Sequence, residues 1–152
     1  MDGPDDARAE QDWRDLEPVV LPTGAAVQEC ACLVLDPEPR NVSRARSFVT
    51  DHAPGLPDDT RDVLALLTSE LVTNAVVHAR TEVRLGVALT DADVVVTVHD
   101  LDLGRREAAG PERDGGRGLG MVEALAVACG QLRHRGGGKT AWFRLARHGA
   151  AT

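Results

Sequence analysis

Apolar and polar residues alternate over several short stretches of this chain, a pattern typical of half-buried β-strands. The alternation is clearest in residues 82–89 and 94–100, which are separated by a turn at residues 90–93. Another strand precedes them, and a hairpin around the glycines at 136–138 follows. The predicted strands are residues 27–35, 82–89, 94–100, 131–135 and 140–145.

Three other segments repeat their apolar residues every three to four positions, which predicts amphipathic helices. We expect Asn41 or Ser43 to cap the first helix, and Asp58 and Asp59 to begin the second, where acids suit the positive end of a helix. The predicted helices are residues 41–51, 58–79 and 119–129. This order of elements predicts an α+β fold, a two-layer sandwich with a mostly antiparallel sheet and helices packed on one face.

Composition divides the chain into one domain and two tails. Residues 1–17 hold seven acidic residues and two arginines, and prolines follow, so we expect residues 1–25 to be disordered or loosely attached. Residues 26–146 form the predicted domain, and residues 147–152 are expected to fray. The net charge of −7 argues against nucleic acid as the main partner, because such proteins carry basic patches.

The three cysteines do not make a disulfide framework, since their number is odd and they form no repeated metal-binding spacing. They predict reduced thiols in an intracellular protein. No apolar run approaches the length of a membrane span, and the acidic N-terminus has no hydrophobic signal core. These features predict a cytoplasmic protein.

The long predicted helix carries three polar residues, Glu70, Asn74 and His78, at intervals of four. Residues four apart share a helix face, so the three side chains are expected to stack on nearly one line beside an apolar face. Asparagine is unfavourable in the middle of a helix, and no lysine or arginine lies between Asp62 and Arg80 to pair with Glu70. The line either borders a pocket or is a solvated helix face.

A carboxylate and a glycine run provide further candidate chemistry. Asp100 closes its strand in phase with three valines, where burial without a hydrogen-bond donor would be costly. It therefore either reaches solvent at the strand end or meets a specific donor. The glycine run at 115–120 opens a helix, an arrangement that suits phosphate binding, although such runs are also typical of flexible linkers.

In combination these features closely resemble the GHKL, or Bergerat-fold, ATPases, which include gyrase and the histidine kinases. The resemblance rests on Glu70-Leu-Val-Thr-Asn-Ala-Val-Val-His78, Asp100, the glycine run and Gly137-Gly-Lys-Thr140, and covers residues 27–145. Within that superfamily the chain looks most like the bacterial anti-sigma-factor serine kinases. The resemblance implies ATP and Mg²⁺ as cofactors, and an anti-anti-sigma protein and a sigma factor as partners. It also implies the homodimers that are common among such relatives.

The resemblance also implies roles for individual residues. Glu70 would be the catalytic base, Asn74 the Mg²⁺ ligand beside the ATP phosphates, and Asp100 the reader of adenine. The other ATP-binding residues that it implies are Gly104, Gly115, Gly118, Leu119, Gly120 and Thr140. Of these, Thr140 would support the adenine site and Gly115 would be the hinge of a lid.

Three positions stand outside this assignment. Asp102 occupies the place of a glycine in the usual adenine motif. Lys139 is expected either to reach the γ-phosphate or to occupy a hairpin turn, and His78 to pack or to form a hydrogen bond. The main hypothesis is a serine protein kinase of the anti-sigma-factor type. The alternatives are a non-catalytic nucleotide-sensing interaction module, and an interaction protein whose site has decayed.

Overall fold

The computed structural model describes residues 16, 21–22, 24–101, 116–135 and 137–148. In chain order its strands and α-helices are β1 (Glu29–Leu35), α1 (Asn41–Asp51), α2 (Asp58–Asn74), β2 (Val83–Leu89), β3 (Asp93–Asp100), α3 (Gly116–Leu125), β4 (Ala128–Arg133) and β5 (Lys139–Ala146). A π-helical turn at Ala75–Ala79 follows α2 directly. The order of elements is the predicted one, and the π-helical turn is the addition to it.

The described strands form a single five-stranded sheet in the order β1-β2-β3-β5-β4. Each strand is antiparallel to its neighbours. The helices α1 and α2 pack against each other, and both contact strands of the sheet. The structure therefore confirms the predicted α+β class, with an antiparallel sheet and a helical layer.

The main hydrophobic core lies between the helices and one face of the sheet, which we call the inner face. Alternate strand residues point into it, so that Leu85, Val96 and Phe143 are fully buried together with Leu64 and Leu67 of α2. Complete burial of each such side chain stabilises the fold by roughly 1.5–3 kcal/mol. The two-residue period that predicted the strands also predicted this inner face correctly.

The opposite, outer face of the sheet carries a second apolar cluster. Ala88, Val95 and Trp142 form it together with Leu21, which is 7% exposed, and the partly buried Leu16 packs against it. Part of the N-terminal segment therefore covers the outer face. Isolated leucines in an acidic, proline-containing segment give no periodic signal, so the sequence did not predict this contact, and the disorder or loose attachment of residues 1–25 stays a prediction.

The first helix begins at Asn41 as predicted, but no side chain caps it. Asn41 is buried, and its amide nitrogen Nδ2 donates to the carbonyl oxygen of Asp36 at 2.9 Å. Ser43 Oγ donates to the carbonyl oxygen of Arg40 at 3.3 Å. The capping role expected of one of these residues is therefore absent, because both side chains bind carbonyl oxygens instead of helix N–H groups.

The third helix and the strand after it depart from their predicted bounds. The helix α3 ends at Leu125 instead of continuing to residue 129, and β4 already begins at Ala128. The N–H of Val127 donates to the carbonyl oxygen of Arg144 at 2.8 Å, which starts the pairing with β5. Short apolar runs fit a helix or a strand equally well, and pairing across strands decides this one. Cys129, expected in the helix, consequently lies in β4 and packs against the core.

Candidate functional site

Glu70 and Asn74 lie one turn apart at the C-terminal end of α2. Both residues are half-buried, whereas Leu71 and Ala75 beside them are buried in the core. Residues four apart lie on the same face of an α-helix, so a carboxylate and an amide share one face at the border of the core. This is the arrangement that the sequence predicted for these two residues.

His78 does not continue the line of polar residues. The π-helical turn at Ala75–Ala79 is closed by a hydrogen bond of 3.3 Å from the N–H of Arg80 to a carbonyl oxygen five residues earlier. It ends at Arg80, whose φ of 57° is left-handed. The wider turn changes the direction of the His78 side chain relative to Glu70 and Asn74, and His78 is exposed. The predicted stacking of three residues therefore holds only for the first two.

Asp100 ends β3 on the inner face of the sheet, in phase with Val94, Val96 and Val98. It is only 1% exposed, so it does not escape to solvent at the strand end. Its carboxylate oxygen Oδ2 lies 3.8 Å from the ammonium nitrogen Nζ of Lys139. Of the two alternatives left open by the sequence, the structure shows the buried carboxylate, and a cation offsets part of the cost of burying it.

Lys139 reaches Asp100 because of the register between β3 and β5. The two residues are directly opposite each other in the antiparallel pair, and both face the inner side. Only 16% of the Lys139 side chain is exposed. Lys139 thus lies in β5 and not in a hairpin turn, whereas its role at the γ-phosphate stays a prediction; its pairing with Asp100 was not predicted. A signal was present in the sequence, since Lys139 is in phase with the apolar residues Ala141 and Phe143.

Thr140 faces the outer side of the sheet and does not lie beside Asp100. Its hydroxyl oxygen Oγ1 is 3.0 Å from Nδ1 of His99 and 2.7 Å from Nε2 of His134. One hydroxyl proton cannot serve two acceptors, so at least one of the two rings donates an N–H to Thr140. Thr140 and Asp100 therefore point to opposite faces of the sheet, and the adenine-supporting role that the resemblance implies for Thr140 stays a prediction.

Gly138 brings the β4–β5 hairpin close to the end of β3. Its φ of +91° is left-handed, and a Cβ atom placed there would lie 2.6 Å from the carbonyl oxygen of Asp100. The same atom would lie 3.5 Å from Cα of Leu101. Only glycine combines this backbone conformation with this close approach, so Gly138 allows Lys139 to enter β5 beside Asp100.

The glycine run contributes the first part of α3. Gly118, Leu119 and Gly120 belong to this helix. Gly120 is exposed, and no heavy atom lies within 4 Å of the position that a Cβ atom would take there. Gly104 and Gly115, assigned to ATP binding, lie outside the described residues, as does Asp102.

Packing contacts connect the elements that carry these residues. The helix α2 contacts α3, β3 and β5, and the π-helical turn contacts β3. Glu70 and Asn74 therefore lie on a helix adjacent to the strands of Asp100 and Lys139 and to the helix of Gly120. Thr140 is separated from this inner side by the sheet itself.

Asn74 is the candidate metal ligand among these side chains. Among the residues that the structure describes, no three histidine, cysteine, aspartate or glutamate side chains are grouped to hold a metal. Mg²⁺ commonly uses only one or two protein oxygens together with phosphate and water, so the amide oxygen of Asn74 is a suitable ligand.

Across the described ranges, no helix is long and apolar enough to span a membrane.

Comparison with known proteins identifies the family. The sequence profile of the histidine kinase-like ATPase domain matches residues 35–145, well over half of the chain. A search of curated proteins finds no match. The match covers all the inner-face residues described above, from Glu70 to Lys139. The chain belongs to the histidine kinase-like ATPase domain family, and is an ATP-binding domain of the GHKL type.

Proposed function

We propose that this protein is an ATP-dependent serine protein kinase of the anti-sigma-factor type. Its substrate would be a serine of an anti-anti-sigma protein, and its second partner a sigma factor that it sequesters. The observation that carries the proposal is the position of Glu70, one turn before Asn74 on the same half-buried face of α2. A protein that only binds ATP has no need of a carboxylate beside the residue suited to the metal.

Glu70 would act as the general base of the transfer. Its carboxylate takes the proton of the serine hydroxyl while the hydroxyl oxygen forms a bond to the γ-phosphorus. The bond from the γ-phosphorus to the bridging oxygen breaks, and ADP leaves with that oxygen. Glu70 suits this role because no basic residue lies within two helical turns of it in sequence: no lysine or arginine occurs between Asp62 and Arg80.

The other inner-face residues would bind and orient the nucleotide. Asn74 would hold Mg²⁺ through its amide oxygen, and the ion would neutralise phosphate charge. Asp100, buried at the end of β3, would accept a hydrogen bond from the exocyclic amino group of adenine. The helix α3 would offer backbone N–H groups to the phosphates near Gly118 and Gly120, where glycines permit close approach.

The kinase proposal is tested by measuring phosphate transfer from radiolabelled ATP and Mg²⁺ to purified anti-anti-sigma proteins. We expect Glu70→Gln to abolish transfer while leaving ATP binding, measured by calorimetry, within about twofold of the unmodified protein, since this change keeps the side-chain shape. Glu82→Gln, at an exposed position outside the site, is the matched control and should retain full transfer. Transfer by Glu70→Gln at the unmodified rate would exclude Glu70 as the base.

A non-catalytic nucleotide-sensing module is the second candidate function. Asp102 favours it, since it replaces a glycine of the usual adenine motif. This function predicts saturable ATP binding without phosphate transfer to any partner, so the same two assays distinguish it from the kinase.

A further inference from the structure

We propose that Lys139 is a second purine-reading residue, which donates a hydrogen bond to N1 of adenine while Asp100 accepts one from the N6 amino group. This inference rests on the part of the proposed function that assigns adenine to Asp100. The inference adds a specificity-determining residue on β5. It follows from the register of β3 and β5, which places Lys139 opposite Asp100. Phosphate transfer is not needed for it to hold.

Asp100 and Lys139 occupy facing positions at the end of the β3–β5 pair. The carboxylate oxygen Oδ2 and the ammonium nitrogen Nζ are 3.8 Å apart, which is longer than a hydrogen bond but close enough for a strong ionic attraction. Both side chains are largely withdrawn from water, at 1% and 16% exposure. Because the two groups lie this close together, a ligand edge that meets one of them would meet the other as well.

The two groups present one acceptor and one donor side by side. A carboxylate only accepts hydrogen bonds, and an ammonium has three N–H groups to donate, so it can serve both the carboxylate and a ligand atom. The Watson–Crick edge of adenine offers the complementary pair on adjacent positions, an amino donor on C6 and an acceptor at N1. Such edges are what proteins read when they bind a purine outside a duplex.

The same pair would disfavour guanine. With the base held in the same orientation, guanine presents its O6 acceptor to the Asp100 carboxylate and its N1–H donor to the Lys139 ammonium. Both contacts are then repulsive, and discrimination of this kind arises from clashes against the wrong ligand as much as from contacts to the right one.

The wild-type protein provides the first test, because it needs no substitution. We would titrate it by calorimetry with ATP, with 1-deaza-ATP, in which a C–H group replaces N1, and with 7-deaza-ATP as the matched control. Loss of one charge-assisted hydrogen bond is expected to weaken 1-deaza-ATP about tenfold relative to ATP. We expect 7-deaza-ATP to bind as ATP does, and GTP to bind at least about tenfold more weakly than ATP.

The variant Lys139→Met provides the second test. Removing the ammonium leaves Asp100 buried without this cation, which weakens all nucleotides, so the informative quantity is the ratio of ATP affinity to 1-deaza-ATP affinity. We expect this ratio to fall from about ten to about one, the value expected when no N1 contact exists. A ratio of one in the wild type, or a ratio that stays near ten in Lys139→Met, would overturn the assignment of Lys139.

Asp100→Asn separates this inference from the site on which it rests. Loss of ATP binding in Asp100→Asn together with a wild-type ratio near one would retain the adenine site and reject Lys139 as its second reader. Unchanged ATP binding in Asp100→Asn would reject both the adenine site at Asp100 and Lys139 as its second reader. A kinase assay that finds no transfer leaves these affinity ratios unaffected, so failure of the catalytic proposal is distinguishable from failure of this one.

Discussion

A Cβ atom at Gly138 would lie 2.6 Å from the carbonyl oxygen of Asp100, closer than side-chain atoms approach in real structures. At Gly138, the hairpin between β4 and β5 packs closely against the backbone at the end of β3. This contact ties the position of Lys139, the next residue, to that of Asp100. The left-handed backbone at Gly138 is therefore required to hold Lys139 beside Asp100.

Replacing Gly138 with alanine is expected to lower the free energy of unfolding by about 2–3 kcal/mol, because it adds a steric overlap to a left-handed backbone. Gly55→Ala is the matched control. Gly55 also has a left-handed φ, +81°, but a Cβ atom there would have no neighbour within 4 Å. Urea unfolding should give a clearly larger loss for Gly138→Ala. Equal losses for the two variants would show that the close approach costs nothing.

Thr140→Val should destabilise the protein by about 1–3 kcal/mol, because the side chains of His99 and His134 both lose a hydrogen-bond partner. We expect its ATP affinity, measured by calorimetry at a temperature where it remains folded, to equal that of the unmodified protein. The reason is that Thr140 faces the outer side of the sheet. A substantial loss of ATP affinity would support the adenine-binding role that the resemblance implies for Thr140.

Leu21→Ala should lower the free energy of unfolding by about 2–3 kcal/mol, as for other buried leucines. The cost arises because Leu21 covers Val95 and Trp142 on the outer face. Leu125→Ala, at a position that is 45% exposed, should cost less than about 0.5 kcal/mol. If the two substitutions have the same small effect in urea unfolding, the N-terminal segment does not stabilise the sheet.

Cys129 provides a pH-dependent test. Burial raises the pKa of its thiol, and the negative charge of Glu123 raises it further. Glu123→Gln removes the second cause and should lower the pKa, so that at pH 8 more thiolate is present. Alkylation of Cys129 by iodoacetamide, followed by peptide mass spectrometry, should then accelerate by up to about fivefold, the range of a weak surface charge interaction. An unchanged rate would show that Glu123 does not act on this thiol.

How far the sequence predicts the structure differs between inner-face residues. The position of Asp100 was predictable, because a two-residue period within one strand places it with three valines. The shared face of Glu70 and Asn74 was predictable for the same kind of reason, from the spacing within one helix. The pairing of Asp100 with Lys139 was not predictable, since the register of β3 against β5 joins residues that are far apart in the chain.

Other departures from the prediction also have physical causes outside local pattern. The apolar period of α2 continues into Ala75–Ala79, so nothing in it marks the change to a π-helical turn. The apolar residues before Cys129 suit a helix, and pairing with β5 turns them into a strand. Leu21 gains its burial from Trp142, a residue near the other end of the chain.

Alternate residues of β5 lie on opposite faces of the sheet, so two different sets of neighbours constrain them. Ala141 and Phe143 pack in the core on the inner face, where Lys139 also lies. On the outer face Thr140 contacts His99 and His134, and Trp142 packs with Leu21. A one-residue insertion or deletion within the strand would exchange these two sets. Insertions and deletions should therefore be tolerated in the loops and not within β5. Substitutions on one face of β5 should be tolerated independently of those on the other face.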